Sequence, residues 1–122
     1  MATETAHEER ERRAGKNQSL FRDINERVRE INQAHALQFL LSDWMCECAD
    51  QACTERIEMS LEQYEKVRER PTSFVVAPSK EHVVRDVERV SGKQERYWVV
   101  ETLGEAAAVA TDLDPRSNGD GR

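Results

Sequence analysis

Three cysteines fall within eight residues, at Cys46, Cys48 and Cys53, in the spacing Cys-x-Cys-x4-Cys, and no other cysteine stands in the 122-residue chain. A fold built on this sequence must bring that stretch together as a metal knuckle or a redox pair, or else bury some of its thiols as small apolar side chains. An odd number of thiols argues against a disulfide framework and for a metal or a free thiol. Zinc takes thiolate sulfur and imidazole nitrogen at about 2.0–2.3 Å in a tetrahedron, so three sulfurs ask for a histidine as the fourth ligand. His82 is the preferred candidate. It follows the apolar run Phe74–Ala77 and a Pro-Ser loop, and loop residues at strand ends commonly furnish ligands. His35, at the end of a helical pattern, is the alternative, and His7 has no evident partner. Convergence of Cys46 and Cys48 is expected to require a turn at Glu47. The competing reading is a thiol-based redox sensor or oxidoreductase, pairing Cys48 with Cys53 or Cys46 with either. Glu47 and Asp50 are the charged neighbours, with no adjacent Lys or Arg. Negative charge raises a thiol pKa, which disfavours a reactive nucleophile and leans towards a metal.

Composition narrows the function classes. Charged residues make up 34% of the chain and the formal charge is -6, so sequence-independent nucleic-acid binding, which needs a basic face, is not expected. No apolar run reaches eighteen residues and no charged-then-apolar leader opens the chain, so neither a membrane span nor a signal peptide is expected. The expected compartment is the cytoplasm, where thiols stay reduced. Gly-x-Ser-x-Gly, a phosphate-cradling glycine loop and His-Glu-x-x-His are all missing, which leans against an enzyme. Trp44, Tyr97 and Trp98 read more simply as packing residues than as a binding surface.

Taken in order, residues 1–16 hold no large apolar residue after Met1 and are expected to be a mobile charged tail or a solvated helical extension. Asn17 is placed as the cap of an amphipathic helix, with Phe21, Ile24, Val28 and Ile31 as its stripe and Leu20 widening it. That stripe packs on its own domain in the simpler reading; in the sharper one it is a face for a protein partner or a second copy. The dense run Leu37, Phe39, Leu40, Leu41 and Trp44 fits either a continuing helix or a strand starting near Phe39. A turn at Asp50 and a short strand with Ile57 and Met59 on one side follow.

Ser60-Leu61-Glu62-Gln63 has the form of a reciprocal capping box, with Met59 and Tyr64 at the staple positions. It predicts a helix with Leu61, Tyr64 and Val67 on one face, stopped by Pro71. Ser73–Ala77 reads as a buried strand. Lys80–Val90 is open between a short helix and a strand, because its valines favour β structure while their spacing is helical. Ser91–Gln94 reads as a turn, Arg96–Thr102 as a central strand, Gly104–Leu113 as a helix and 114–122 as a frayed tail.

The segments Asn17-Gln18-Ser19-Leu20-Phe21-Arg22-Asp23-Ile24-Asn25-Glu26, Cys46-Glu47-Cys48-Ala49-Asp50 with Cys53, Leu61-Glu62-Gln63-Tyr64-Glu65-Lys66-Val67-Arg68, Phe74-Val75-Val76-Ala77-Pro78 and Tyr97-Trp98-Val99-Val100-Glu101 follow one another in this order. Together they resemble an uncharacterised family of small bacterial proteins over about residues 17 to 116. In that family Pro-Gly-His-Glu follows the Phe-x-Val strand, whereas Pro78-Ser79-Lys80-Glu81-His82 here carries its histidine displaced. The resemblance implies the site and no activity.

The fold expected from all this is α+β: a long N-terminal amphipathic helix, a capped middle helix and a small sheet around a thiol-rich turn. Domain limits are expected at 17–113. The expected function is a small non-enzymatic protein with a structural zinc on Cys46, Cys48, Cys53 and His82, acting through protein–protein contacts.

Overall fold

A computed structural model describes residues 2–35 and 40–116, and its architecture is α+β. Helix α1 (Ala2–Ala34) leads to an antiparallel pair, β1 (Ser42–Met45) and β2 (Arg56–Met59), then helix α2 (Leu61–Val67). Strand β3 (Ser73–Val76), a 3-10 turn at Lys80–His82, β4 (Glu88–Lys93), β5 (Trp98–Thr102) and helix α3 (Gly104–Asp112) complete it. The second sheet is antiparallel in the order β3-β5-β4, so β5 is central, as its apolar run requires.

The middle of the chain forms as its local signals dictate. Ser60 accepts from the Gln63 amide at 3.2 Å, and the Gln63 side chain accepts from the Ser60 amide at 2.9 Å. Leu61, Tyr64 and Val67 are buried on one face. Met59 and Tyr64 are both fully buried, and the Trp44 ring stacks on Tyr64 with centroids 4.3 Å apart. The Trp44 indole donates to the Met59 carbonyl at 2.9 Å, so the largest apolar side chain also closes the β1–β2 pair. Phe74, Val75, Val76 and Val100 fill the rest of the core.

Segment 80–93 is not a helix. After the 3-10 turn the chain crosses to β4, which takes in Ser91, Gly92 and Lys93, the residues read as a turn. The register slips between Val90 and Gly92, leaving Ser91 as a bulge, and the reversal comes instead at Gln94–Tyr97, where the Gln94 amide donates to the Tyr97 carbonyl at 2.8 Å.

The largest departure concerns α1. It is one helix from residue 2, so Asn17 is an interior residue rather than a cap, and it uses its side-chain amide to hold the Ala49 carbonyl at 2.7 Å. Glu11, Ala14 and Gly15, inside the segment read as a charged tail, are buried. A Cβ on Gly15 would meet the Ala106 carbonyl at 3.0 Å and the Val109 side chain at 3.1 Å, so α1 and α3 approach closely through small residues there. The helix turns a polar face inward: Gln18, Arg22, Asn25 and Asn32 are buried, while only Phe21 and Val28 of the apolar stripe pack inward. Leu20, Ile24 and Ile31 are exposed. Arg22 donates to the Pro71 and Ser73 carbonyls at 2.7 and 2.8 Å and lies 3.8 Å over the Phe74 ring, anchoring the helix to β3. Leu40 and Leu41 precede β1 as exposed residues; Leu37 and Phe39 lie outside the described residues.

An ion network closes the other end. Arg68 pairs with Asp114 at 2.5 Å and Glu26 at 3.1 Å, and Arg116 reaches Glu26 at 3.0 Å and Glu65 at 2.6 Å. Asp114 is buried and Arg116 joins this network, so both residues after the expected limit at 113 that lie in it pack on the rest of the chain.

Glu88 is buried on β4 between the Val84 amide, at 3.0 Å, and the Gln18 side chain. Burial pushes its carboxyl up to about 7, against the pull of those two donors. The folded state therefore binds this proton more tightly than the unfolded chain, whose Glu titrates near about 4.3. Its contribution to stability is full below that value and is lost as pH rises through about 7, a span on the order of 4 kcal/mol. Replacing Glu88 with Gln is expected to remove this slope. Urea unfolding between about pH 5 and pH 7 should show the variant gaining on the parent as pH rises.

Candidate metal centre

Three segments deliver the site. Cys46 continues the β1–β2 ladder by one residue, its amide donating to the Glu55 carbonyl at 3.2 Å. Cys48 lies two residues on. Asp50 then turns the chain: its carboxylate accepts from the Ala52 amide at 2.9 Å and its carbonyl from the Cys53 amide at 3.0 Å, which folds Cys53 back. His82 comes from the far side. Ser79 caps the 3-10 turn, its hydroxyl accepting from the Glu81 amide at 3.2 Å and its carbonyl from the His82 amide at 3.1 Å. That turn swings the imidazole over the thiols.

The donor atoms of Cys46, Cys48, Cys53 and His82 all lie within 4.8 Å of one another. His82 Nδ1 is 3.6 Å from Cys46 Sγ and 3.7 Å from Cys53 Sγ. A tetrahedral zinc with the usual bond lengths holds sulfur and nitrogen about 3.5 Å apart and sulfurs about 3.8 Å apart. The arrangement therefore fits such an ion. The donor set, three soft sulfurs and one imidazole, is the one zinc prefers in sites closed on all four sides. The Ala77 amide donates to Cys46 Sγ at 3.2 Å, a bond that stabilises thiolate. Cys46 and Cys48 are buried, while Cys53 and His82 are half-buried at the rim. His35, the alternative ligand, is exposed at the end of α1 and outside the cluster.

Two expectations are corrected. No turn at Glu47 is needed, because residues two apart in extended chain share a face. Cys46 and Cys48 look to one side while Glu47 looks to the other. Nor does Glu47 lift the neighbouring thiols. Its carboxylate points away from them and is completely buried, accepting from Asn25 Nδ2 at 2.9 Å, the Tyr64 hydroxyl at 3.0 Å and the Val75 amide at 3.1 Å. The Glu47 amide in turn donates to the Val75 carbonyl at 2.7 Å, and the Asn25 side chain brackets the Met45 peptide through its amide and carbonyl. The segment between the two cysteines is thus pinned to α1, α2 and β3 at once. Nothing in the sequence marks Glu47, Asn25 and Tyr64 as a set; a Glu between two cysteines reads as a solvated charge.

Within the four side chains alone, the three thiols are driven in opposite directions. The hydrogen bond from Cys46 holds Cys48 down to about 5, while that same bond and burial push Cys46 up, and burial raises Cys53. Three sulfurs this close repel as thiolates. A divalent cation held by these four side chains would remove that conflict by replacing the protons.

Comparison of the chain with protein-family models, with curated proteins and with solved structures gives no match. The reading of the site rests on its geometry.

Proposed function

We propose that this protein is a non-enzymatic zinc protein, its ion held by Cys46, Cys48, Cys53 and His82, and that it acts through contacts with other proteins. The observation that carries the reading is the preformed cluster of three sulfurs and one imidazole, whose ring nitrogen lies 3.6 and 3.7 Å from two of the sulfurs. With four protein ligands the ion is structural: no coordination position is left for substrate. It joins the end of β1, the loop to β2 and the turn after β3, and so ties the two sheets together. Three free thiols side by side suit a reducing compartment such as the cytoplasm. Among the described residues no helix is long and apolar enough to cross a membrane.

One surface for contacts is the outward row Leu20, Ile24 and Ile31, three exposed aliphatic residues at helical spacing on α1. A partner helix, from a second copy or another protein, would cover it.

Zinc content and thiol reactivity together test the metal. Protein purified without added metal is expected to carry one zinc per chain, and its three thiols to resist alkylation until a chelator is added. Rapid alkylation of zinc-free protein, with a disulfide forming under mild oxidant, would instead favour the thiol redox reading.

A further inference from the structure

The sheet offers a second surface, where the free edge of β4 meets one face of the sheet. Strand β4 ends the order β3-β5-β4, and among the described residues no backbone hydrogen bond outside its pairing with β5 engages Arg89–Lys93. Beside that edge lie two adjoining hollows that share Lys80 and Val90. One, of about 530 Å³, is lined by Lys80, Val83, Arg85 and Val90; the other, of about 490 Å³, adds Ser91, Gly92, Lys93 and Trp98. Val83, Val90 and Trp98 form an apolar floor, half-buried and packed on the core. The charged groups lining both hollows are Lys80, Arg85 and Lys93, all cations, in a chain whose net charge is -6. None of the three has an ion pair among the described residues; Lys93 lies 4.6 Å over the Trp98 ring. Glu81 and Asp86 line neither hollow, and Asp86 pairs with Arg10 at 3.1 Å.

We infer that this groove binds an extended peptide of a partner protein that carries both acidic and aliphatic residues on one face, laid along β4 as an added strand. Each part of the surface selects one feature of that occupant. The free edge supplies main-chain donors and acceptors to an extended backbone. Every second side chain of the added strand would face the hollows, its aliphatic members over the Val83, Val90 and Trp98 floor and its acidic members at the rim. The three unpaired cations at the rim select carboxylates and speed encounter. A second copy of β4 is a poor occupant, because Arg89 and Lys93 would face their own like, and the Ser91 bulge bends the edge away from long flat pairing. The inference rests on the reading that this protein acts through protein contacts and names the partner's chemistry. It does not depend on the ion.

The test uses the full chain in its metal-loaded form. The probe is a fluorescein-labelled peptide repeating Glu-Glu-Val-Leu, which puts carboxylates and aliphatic groups together on each face of a strand, with a Lys-for-Glu counterpart and a single-stranded oligothymidine as controls. Fluorescence polarisation is expected to show saturable binding of the acidic peptide alone, weakening with salt. Amide chemical-shift changes are expected in β4 and around Lys80–Arg85. The double variant Lys80→Glu, Lys93→Glu, which alters only exposed side chains, should lose at least about tenfold in affinity. Its zinc content should be unchanged, which separates failure of this inference from failure of the metal reading. Absence of peptide binding to zinc-loaded protein, shifts centred on Leu20, Ile24 and Ile31, or oligothymidine moving the β4 amides in the peptide's place would each overturn it.

Discussion

Stripping zinc from the folded protein with a strong chelator is expected to lower its midpoint of thermal unfolding by more than about 10 °C. A ligand that binds only the folded state stabilises it by about 4 kcal/mol when present at a thousandfold excess over its dissociation constant. In a domain of this size each kcal/mol is worth several degrees, so about 4 kcal/mol moves the midpoint by about 12–20 °C. The four side chains stand where the loss of an ion held between them would matter. Cys46 and Cys48 belong to the main buried cluster with Trp44, Tyr64 and the β3 valines, so released thiols cannot simply turn to solvent. With no cation, three close sulfurs would hold protons in the core, and the proposed clip between the two sheets would be missing. Scanning calorimetry of loaded and chelated protein, followed by return of zinc, checks this. Equal midpoints would show that the four side chains hold no ion of consequence.

Glu47→Ala is expected to be the most damaging single substitution outside the four ligands, costing about 3–6 kcal/mol. The carboxylate takes hydrogen bonds from Asn25, Tyr64 and the Val75 amide in a space closed to water. Removing it takes an acceptor from the Val75 amide, the Tyr64 hydroxyl and one Asn25 N–H at once, and a buried donor left unsatisfied costs about 1–3 kcal/mol. Total stability of a domain is commonly about 5–15 kcal/mol, so the loss is a large share of it. Burial raises the Glu47 carboxyl above the ordinary range despite the nearby Arg22 guanidinium. The isosteric Glu47→Gln keeps one acceptor oxygen and is expected to fall between the parent and Glu47→Ala. Because this side chain fixes the segment between Cys46 and Cys48, zinc affinity should fall in the same order. Urea unfolding of apo and loaded forms separates the two effects. A Glu47→Ala protein as stable as the parent would remove the anchoring role.

The sequence marks some parts of this molecule and conceals others, for reasons visible in particular residues. The capping box at Ser60–Gln63 is a local device whose partners lie three residues apart, so it and α2 can be read directly. The thiols are equally plain, and His82 could be placed because a ligand after β3 needs only a short turn to return. Helix α1 shows where periodicity stops informing. Gln18, Arg22, Asn25 and Asn32 recur at helical spacing as regularly as Leu20, Ile24 and Ile31, so spacing establishes that there are faces. Which face the domain covers is decided by distant groups, the Pro71 and Ser73 carbonyls and the Met45 peptide, that only folding brings near. Residues 1–16 were obscured for a related reason, since Ala14 and Gly15 pack by being small against α3 rather than by being apolar. At 80–93 the valines serve two structures in turn, first the loop and then β4, and no single period describes both.

The central claim is that one ion sits where Cys46, Cys48, Cys53 and His82 meet. Native mass spectrometry of protein expressed and purified without added metal measures this directly, with Cys46→Ser and His82→Ala variants beside it. The account predicts one zinc per chain in the parent, loss of that mass in Cys46→Ser and weakened retention in His82→Ala. A parent protein that flies folded and metal-free, indistinguishable in this respect from its variants, would contradict it.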